Sequence, residues 1–126
     1  MEGSGNPHIG AERLMETATG AWKSQTLASA IEIGLYTFLG NEHKSEQEIR
    51  EGLSLKGARV EDFLNALVAM GHLEKDKATH KYYNNEDTLK YCVQSSPWYI
   101  GDAIFTRGSV TQITSFKDLT HYLKTD

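Results

Sequence analysis

The sequence predicts a mainly α-helical, winged-helix-like domain with a small β-hairpin, and three observations point to this fold. Apolar residues recur at three- and four-residue steps through most of the chain, which is the periodicity of amphipathic helices. A helix, a turn and a second helix precede two short extended runs, the order found in winged helices. The chain has 126 residues, 39% of them hydrophobic and 24% charged, as expected for one globular domain.

The first helical region is predicted from Ala11 to Phe38. Gly20 and Gly34 interrupt it, and Gly40 followed by Asn41 is expected to end it, since both residues tolerate left-handed backbone angles. The apolar stripe of this region consists of Leu14, Ala18, Ala21, Trp22, Leu27, Ala30, Ile31 and Leu35.

Residues 1–10 are small and polar and lack the apolar centre of a signal peptide. We expect them to form a flexible leader in front of a single domain at residues 11–126.

The second helix begins with a capping-box pattern. The Ser45 side chain is expected to accept from the backbone amide of Glu48, and the Glu48 carboxylate to reach back to the Ser45 amide. The helix is short and should end near Gly52, with Ile49 and Leu53 facing the core.

A stronger helix is predicted from Ala58 to Met70. Gly71 follows it, where a helix C-terminus favours a residue with positive φ. Residues 72–75 and 81–83 are short extended runs joined by a polar turn, and they predict the hairpin, or wing. The core-facing residues of the helix are Val60, Phe63, Leu64, Leu67, Val68 and Met70.

Three more helices complete the prediction. A short one runs from Glu86 to Val93, with Leu89 and either Cys92 or Val93 inward. Ser95 is expected to cap a helix from Trp98 to about Ile113, because serine is favoured at N-caps and proline is tolerated in the first turn. The last helix is predicted from Ser115 to Leu123.

Nothing in the sequence predicts a catalytic, cofactor-binding or metal site. The five histidines lack the paired short spacing of zinc ligands. The glycines near the N-terminus follow no strand, as a dinucleotide-binding loop would require. Cys92, the single cysteine, is expected to be a buried and unreactive thiol in a reducing, cytoplasmic compartment.

Taken together, the segments resemble the N-terminal dimerisation domain of S-adenosylmethionine-dependent O-methyltransferases of the acetylserotonin and caffeate type. No single segment is specific to this family, but the order and spacing of all the segments together are specific to it. The matching segments are Thr19–Leu27, Ala30–Leu35, Phe38–Leu39, Ser45–Gly52, Arg59–Glu74, Tyr82–Asn85, Tyr91, Ser95–Pro97, Phe116–Leu119 and Tyr122–Thr125.

The resemblance implies an intertwined homodimer in which this domain also supplies part of the substrate-pocket wall. It further implies that S-adenosylmethionine binds in a following Rossmann-like domain, which we expect this sequence to lack. The implied partner is a second copy or a full-length O-methyltransferase subunit, and no membrane is expected. Tyr99 and Phe105 are placed at the pocket wall by analogy alone.

The residues themselves support a dimer, because the first stripe and the segment after Trp98 are more apolar than so small a domain can easily bury. Obligate dimer interfaces resemble a core cut in half, and tryptophan is enriched where binding energy concentrates. The predicted interface residues are Leu14, Ala18, Trp22, Leu27, Ile31 and Trp98.

A winged-helix transcription regulator is the alternative reading. Lysines in the wing and Arg59 at the start of the 58–70 helix favour it. Glu61 and Asp62 on that helix oppose it, as does a net charge of -4 with a pI of about 5.7, because duplex binding needs Lys and Arg at phosphates.

Overall fold

The computed structural model describes residues 9–108 and 119–124 of the chain. This part is mostly helical with one two-stranded antiparallel hairpin, so the predicted fold class is confirmed. The elements in chain order are α1 (Ile9–Ala18), α2 (Gly20–Glu32), α3 (Leu35–Leu39), α4 (Glu46–Leu53), α5 (Val60–Ala69), β1 (Glu74–Lys75), β2 (Tyr82–Tyr83), α6 (Glu86–Tyr91), α7 (Gly101–Gly108) and α8 (Leu119–Lys124).

The first helical region is divided where its glycines predicted. α1 begins at Ile9, two residues before the expected start of the domain. Gly34 has a φ of +77° between α2 and α3, and Gly40 has a φ of +53° after α3. Both values are readily adopted only by glycine, so these residues fix the ends of the short helix α3.

The capping box of α4 is present as predicted. The Glu48 amide donates to Ser45 Oγ at 3.1 Å, and the Ser45 amide donates to Glu48 Oε1 at 2.8 Å. The helix ends at Leu53, and its left-handed C-terminal residue is Ser54 with a φ of +56°. Gly52 has a different role, because a Cβ atom there would collide with the ring of Phe38.

Helix α5 and the wing follow as predicted, and Gly71 has a φ of +82°. β1 pairs with β2 with Glu74 opposite Tyr83. A third segment, missed by the sequence analysis, extends the hairpin: Lys44 forms an antiparallel bridge to Tyr82, with backbone hydrogen bonds of 2.9 and 2.7 Å. This bridge ties the wing to the start of α4.

The prediction that a helix begins at Trp98 is wrong, since α7 begins at Gly101. Residues 92–98 form turns, in which Ser96 N–H donates to the Val93 carbonyl. Ile100 N–H then donates to the Tyr91 carbonyl at 2.9 Å. This hydrogen bond brings the chain back beside the end of α6. The rest of the predicted 98–113 helix after Gly108, and residues 115–118 of the last one, lie outside the described residues.

Helix α7 packs along α2. A Cβ atom on Gly108 would lie 3.0 Å from the Ser24 carbonyl oxygen and 3.6 Å from the Cβ of Ala28. Glycine at this position therefore allows the two helix backbones to approach closely.

One hydrophobic core joins α2 to α6 and the wing. Tyr36, fully buried, donates its hydroxyl proton to the His72 carbonyl at 2.8 Å, which satisfies the polar atom inside the core. Cys92 and Val93 are both buried, and Leu89 packs against the core. The buried core residues are Ala30, Leu35, Tyr36, Leu39, Ile49, Val60, Leu64, Leu67, Leu73, Tyr82, Cys92 and Val93.

Candidate dimerisation surface

Helix α1 lies outside this core. Every residue from Ala11 to Ala18 is exposed, and Leu14 is 73% exposed. Only Thr19 separates α1 from α2. Two backbone hydrogen bonds with helical spacing cross this junction: Thr19 N–H donates to the Met15 carbonyl, and Lys23 N–H donates to the Thr19 carbonyl. The two helices therefore form one rod with a bend at Thr19.

A groove runs beside α2, between it and α5. Its first hollow, about 240 Å³, is lined by Trp22, Thr26, Arg59, Asp62, Phe63 and Ala66. Its second hollow, about 250 Å³, shares Arg59 and Phe63 and is otherwise lined by Ser29, Ile33, Leu55, Gly57 and Val60. Trp22 remains 58% exposed at one end. The walls are mainly apolar, as in surfaces that receive a helix.

Trp98 forms a second exposed apolar feature. It is 62% exposed and lies in the turn that precedes α7. The Lys90 ammonium lies 5.1 Å from the Trp98 ring and 5.2 Å from the Tyr91 ring. These distances are within the range of cation–π attraction, so Lys90 contacts the Trp98 ring, although most of the side chain remains exposed.

The predicted interface residues are therefore in two different environments. Leu14, Ala18, Trp22 and Trp98 are exposed, whereas Leu27 and Ile31 are half-buried and pack against the chain's own core.

The two predicted pocket-wall residues, Tyr99 and Phe105, are both half-buried. Tyr99 precedes α7 and folds over Gly101, where a Cβ atom would collide with its ring.

The sequence analysis missed two parts of this surface. Met15 is 60% exposed beside Leu14, and its spacing of seven residues from Trp22 was a usable signal. Phe63 packs against the core as predicted and also lines the groove, and Arg59, assigned to possible phosphate contacts, lines the groove with it. Only the packing of α5 against α2 reveals this, and no local pattern encodes it.

Three of the polar side chains that a DNA-binding winged helix would use, Arg59, Asn65 and Lys75, are engaged within the chain. The Arg59 guanidinium lies 3.3 Å from the Asp62 carboxylate. Asn65 accepts hydrogen bonds from the Tyr82 hydroxyl at 2.7 Å and from the Lys75 ammonium at 3.3 Å. With Glu61 and Asp62 in its first turn, α5 does not favour binding of duplex phosphates.

The one cysteine has the environment of an unreactive residue. Burial, and secondarily the nearby Asp87 carboxylate, raise the pKa of the buried Cys92 thiol to about 11. A thiol with a raised pKa is protonated near neutral pH and is a weak nucleophile.

Within residues 9–108 and 119–124, no three His, Cys, Asp or Glu side chains lie together in a way that could hold a metal ion. In the same part of the chain, no helix has the length and apolar character needed to cross a bilayer.

Comparison with known sequences identifies relatives among methyltransferases. The chain is 35% identical over 101 residues to a 3-hydroxy-5-methyl-1-naphthoate 3-O-methyltransferase of Streptomyces sahachiroi, a match covering 79% of this chain and 29% of that protein. It is 32% identical over 100 residues to the tetracenomycin polyketide synthesis 8-O-methyl transferase of Streptomyces glaucescens, covering 75% and 29%. The chain thus spans less than a third of the length of these relatives.

Solved structures share the fold at lower identity. Human N-acetylserotonin methyltransferase in complex with SAM superposes with a TM-score of 0.81 at 20% identity, covering 98% of this chain and 36% of that one. An O-methyltransferase-like protein from Nostoc punctiforme superposes with a TM-score of 0.77 at 21% identity, covering 89% and 33%. The family model of the O-methyltransferase dimerisation domain matches residues 15–95. On this match and the sequence relatives, the chain belongs to the O-methyltransferase dimerisation-domain family.

Proposed function

We propose that this chain joins two copies of itself, and that the exposed face of α1 and α2 forms the contact together with Trp98. The observation that supports this most directly is the exposure of Leu14, Trp22 and Trp98. Leu14 and Trp22 lie on α1 and α2, and Trp98 lies in the turn before α7; large exposed apolar side chains that cluster mark interaction sites, and a partner that covers both features would bury all three. The exposed Ala18 and the half-buried Leu27 and Ile31 complete the interface.

The pairing serves an S-adenosylmethionine-dependent enzyme that methylates a hydroxyl group on an aromatic, polyketide-like compound. The names of the Streptomyces relatives, a naphthoate and a tetracenomycin methyltransferase, support this substrate class. Catalysis and cofactor binding belong to a Rossmann-like domain, since the sequence has no loop suited to the cofactor. Tyr99 and Phe105 contribute to the wall of the acceptor pocket.

Sedimentation of the 126-residue chain over a wide concentration range tests the pairing. We expect a dimer, and a strictly monomeric species at high concentration would refute it. Calorimetry with S-adenosylmethionine tests whether the cofactor binds to this chain. We expect no heat of binding, and micromolar affinity would place a cofactor site on this chain.

A test in a full-length enzyme that carries this domain addresses the pocket wall. Phe105→Ala should raise the KM for the aromatic acceptor and leave the KM for S-adenosylmethionine unchanged. Equal changes in both constants would remove Phe105 from the acceptor pocket.

The second copy could be replaced by a full-length O-methyltransferase subunit, because the same surface would be offered to it. Co-expression followed by an activity assay distinguishes the cases, since mixed dimers should change the specific activity of the enzyme. We place the protein in the cytoplasm, where a single buried thiol such as Cys92 stays reduced.

A further inference from the structure

Two hollows adjoin along α2 and share Ser24 and Leu27, and we call the space that they form the α2/α7 cleft. The first, about 430 Å³, lies between α2 and the end of α5. The second, about 330 Å³, lies between α2 and α7. These volumes are in the range of pockets that take small organic molecules.

The floor of the α2/α7 cleft is apolar and is held in place by the core. Leu27 and Met70 in the first hollow, and Ile104 in the second, are half-buried and pack against the core residues. Ile100 stands at the rim of the second hollow and is 48% exposed. A flat ring laid on this floor would cover side chains that are already fixed from below.

Two cationic residues enter the cleft where α7 crosses α2. A Cβ atom on Gly108 would lie 3.0 Å from the Ser24 carbonyl oxygen, so the two helices touch at this point. Lys23 precedes Ser24 and lines the first hollow, and Arg107 precedes Gly108 and lines the second. Both side chains have long flexible stems, so their charged ends can reach one ligand from the two helices.

The charges of the cleft are of one sign. Within residues 9–108 and 119–124, neither Lys23 nor Arg107 forms a salt bridge, whereas Arg50 and Arg59 each pair with a carboxylate. Among the same residues, no Asp or Glu lines either hollow, although the chain as a whole has a net charge of -4. A cleft lined by one sign of charge attracts the opposite charge.

The combination selects the chemistry of a ligand. An apolar floor favours an aromatic ring, and the Lys23 ammonium and Arg107 guanidinium favour an anion attached to it. Arginine binds a carboxylate through two parallel hydrogen bonds. His72, which also lines the first hollow, offers a ring nitrogen as a further polar contact.

We propose that the α2/α7 cleft binds an aromatic carboxylate, with the ring on Leu27, Met70 and Ile104 and the carboxylate between Lys23 and Arg107. The site is formed by this chain alone, so the inference goes beyond the proposed function and does not depend on subunit pairing or on a catalytic domain.

Calorimetry of the 126-residue chain with three probes at low ionic strength tests the proposal. 2-Naphthoate should bind at least tenfold more tightly than 2-naphthylmethanol, which keeps the ring system and lacks the charge, and inorganic phosphate should give no measurable heat. Equal affinity for the two naphthalene compounds would overturn the role of the cations. Phosphate binding as tight as that of 2-naphthoate would overturn the role of the apolar floor, and no binding of 2-naphthoate would overturn the proposal.

Variants of the two cations locate the carboxylate. Lys23→Gln and Arg107→Gln should each raise the Kd of 2-naphthoate by roughly three- to tenfold and leave that of 2-naphthylmethanol unchanged. Lys77→Gln is the matched control, because it removes the same charge from the turn of the wing and should change the Kd by less than about twofold. Equal effects of Lys23→Gln and Lys77→Gln would overturn the assignment.

A further variant keeps both cations. Ile100→Glu places a carboxylate at the exposed rim of the cleft, where a polar side chain does not disturb the core. It should raise the Kd of 2-naphthoate by roughly tenfold or more, through charge repulsion and competition for Lys23 and Arg107. An unchanged Kd in this variant, with the unfolding free energy preserved, would overturn the proposal.

Leu27 belongs both to this cleft and to the proposed dimer interface, so the titrations should be run at protein concentrations below and above the dimer Kd. We expect the same Kd for 2-naphthoate in both. Loss of binding in the dimer would show that a second copy fills the cleft; it would overturn this inference and leave the pairing intact. A chain that is monomeric at every concentration and still binds 2-naphthoate would refute the pairing and support this inference.

Discussion

Replacement of Trp22 by alanine is the most direct test of the exposed surface. Trp22 is 58% exposed, and a buried tryptophan hides 150–250 Å², so roughly 90–150 Å² remains for a partner to cover. At about 25 cal/mol per Å² this area is worth about 2–4 kcal/mol per subunit. The contact occurs twice in a two-fold dimer, so the Kd of dimerisation should rise by roughly 1,000-fold or more.

Sedimentation equilibrium measures this Kd directly. Leu123→Ala is the control, because Leu123 is 76% exposed and lies on α8, outside the predicted interface. Since Trp22 also contacts the groove of its own chain, the unfolding free energy of each variant should be measured by denaturant titration at monomeric concentrations. A folded Trp22→Ala chain whose Kd stays within about threefold of the unaltered value would refute the reasoning.

Three further predictions concern the fold. Ser45→Ala removes the cap of α4 and should lower the unfolding free energy by about 1 kcal/mol in a denaturant titration, and no change would show that the capping box contributes nothing. The hydrogen bond from the Ser45 amide is the main cause that holds the pKa of Glu48 below its usual value. The stabilisation that the Glu48 carboxylate provides is therefore complete above the pKa of Glu48 in the unfolded chain, and it is lost as pH falls through the lower pKa of Glu48 in the folded chain. Glu48→Gln should make the unfolding free energy less dependent on pH in the acid range. Parallel pH profiles of the unfolding free energy for the variant and the unaltered chain would contradict this. Gly52→Ala should lower the unfolding free energy by about 1–3 kcal/mol because its Cβ collides with the Phe38 ring, whereas Gly57→Ala, with open space around it, should change it by less than about 0.5 kcal/mol.

The local signals of the sequence were sufficient for most of the fold. Gly34 and Gly71 marked helix ends because positive φ is nearly free only for glycine. The Ser45 capping box gave the start of α4 because both of its hydrogen bonds are local. Where an equally good local signal competed with tertiary contacts, the prediction failed: Ser95 and Pro97 suggested a helix start, but the Ile100 hydrogen bond to Tyr91 favours turns up to Gly101.

The candidate surface was predictable only in part. Leu14 and Trp22 could be selected because they are large, apolar and on one stripe. The groove beside them depends on how α5 lies against α2, and the bridge from Lys44 to Tyr82 depends on residues distant in sequence. Periodicity carries no information about such long-range pairing. Leu27 and Ile31 show the same limit of prediction. An apolar stripe in the sequence does not indicate which of its residues pack against the chain's own core and which contact a partner.

The close approach of α7 to α2 at Gly108 has a mechanical consequence. One face of α2 belongs to the surface that we propose as the contact with a second copy, and another face touches α7, the helix that carries Phe105. With a glycine at the crossing, no flexible side chain separates the two helices to absorb a displacement. We therefore expect subunit association to be coupled to the position of Phe105, which we propose as part of the acceptor-pocket wall, so that a weaker dimer would also be less selective for its substrate.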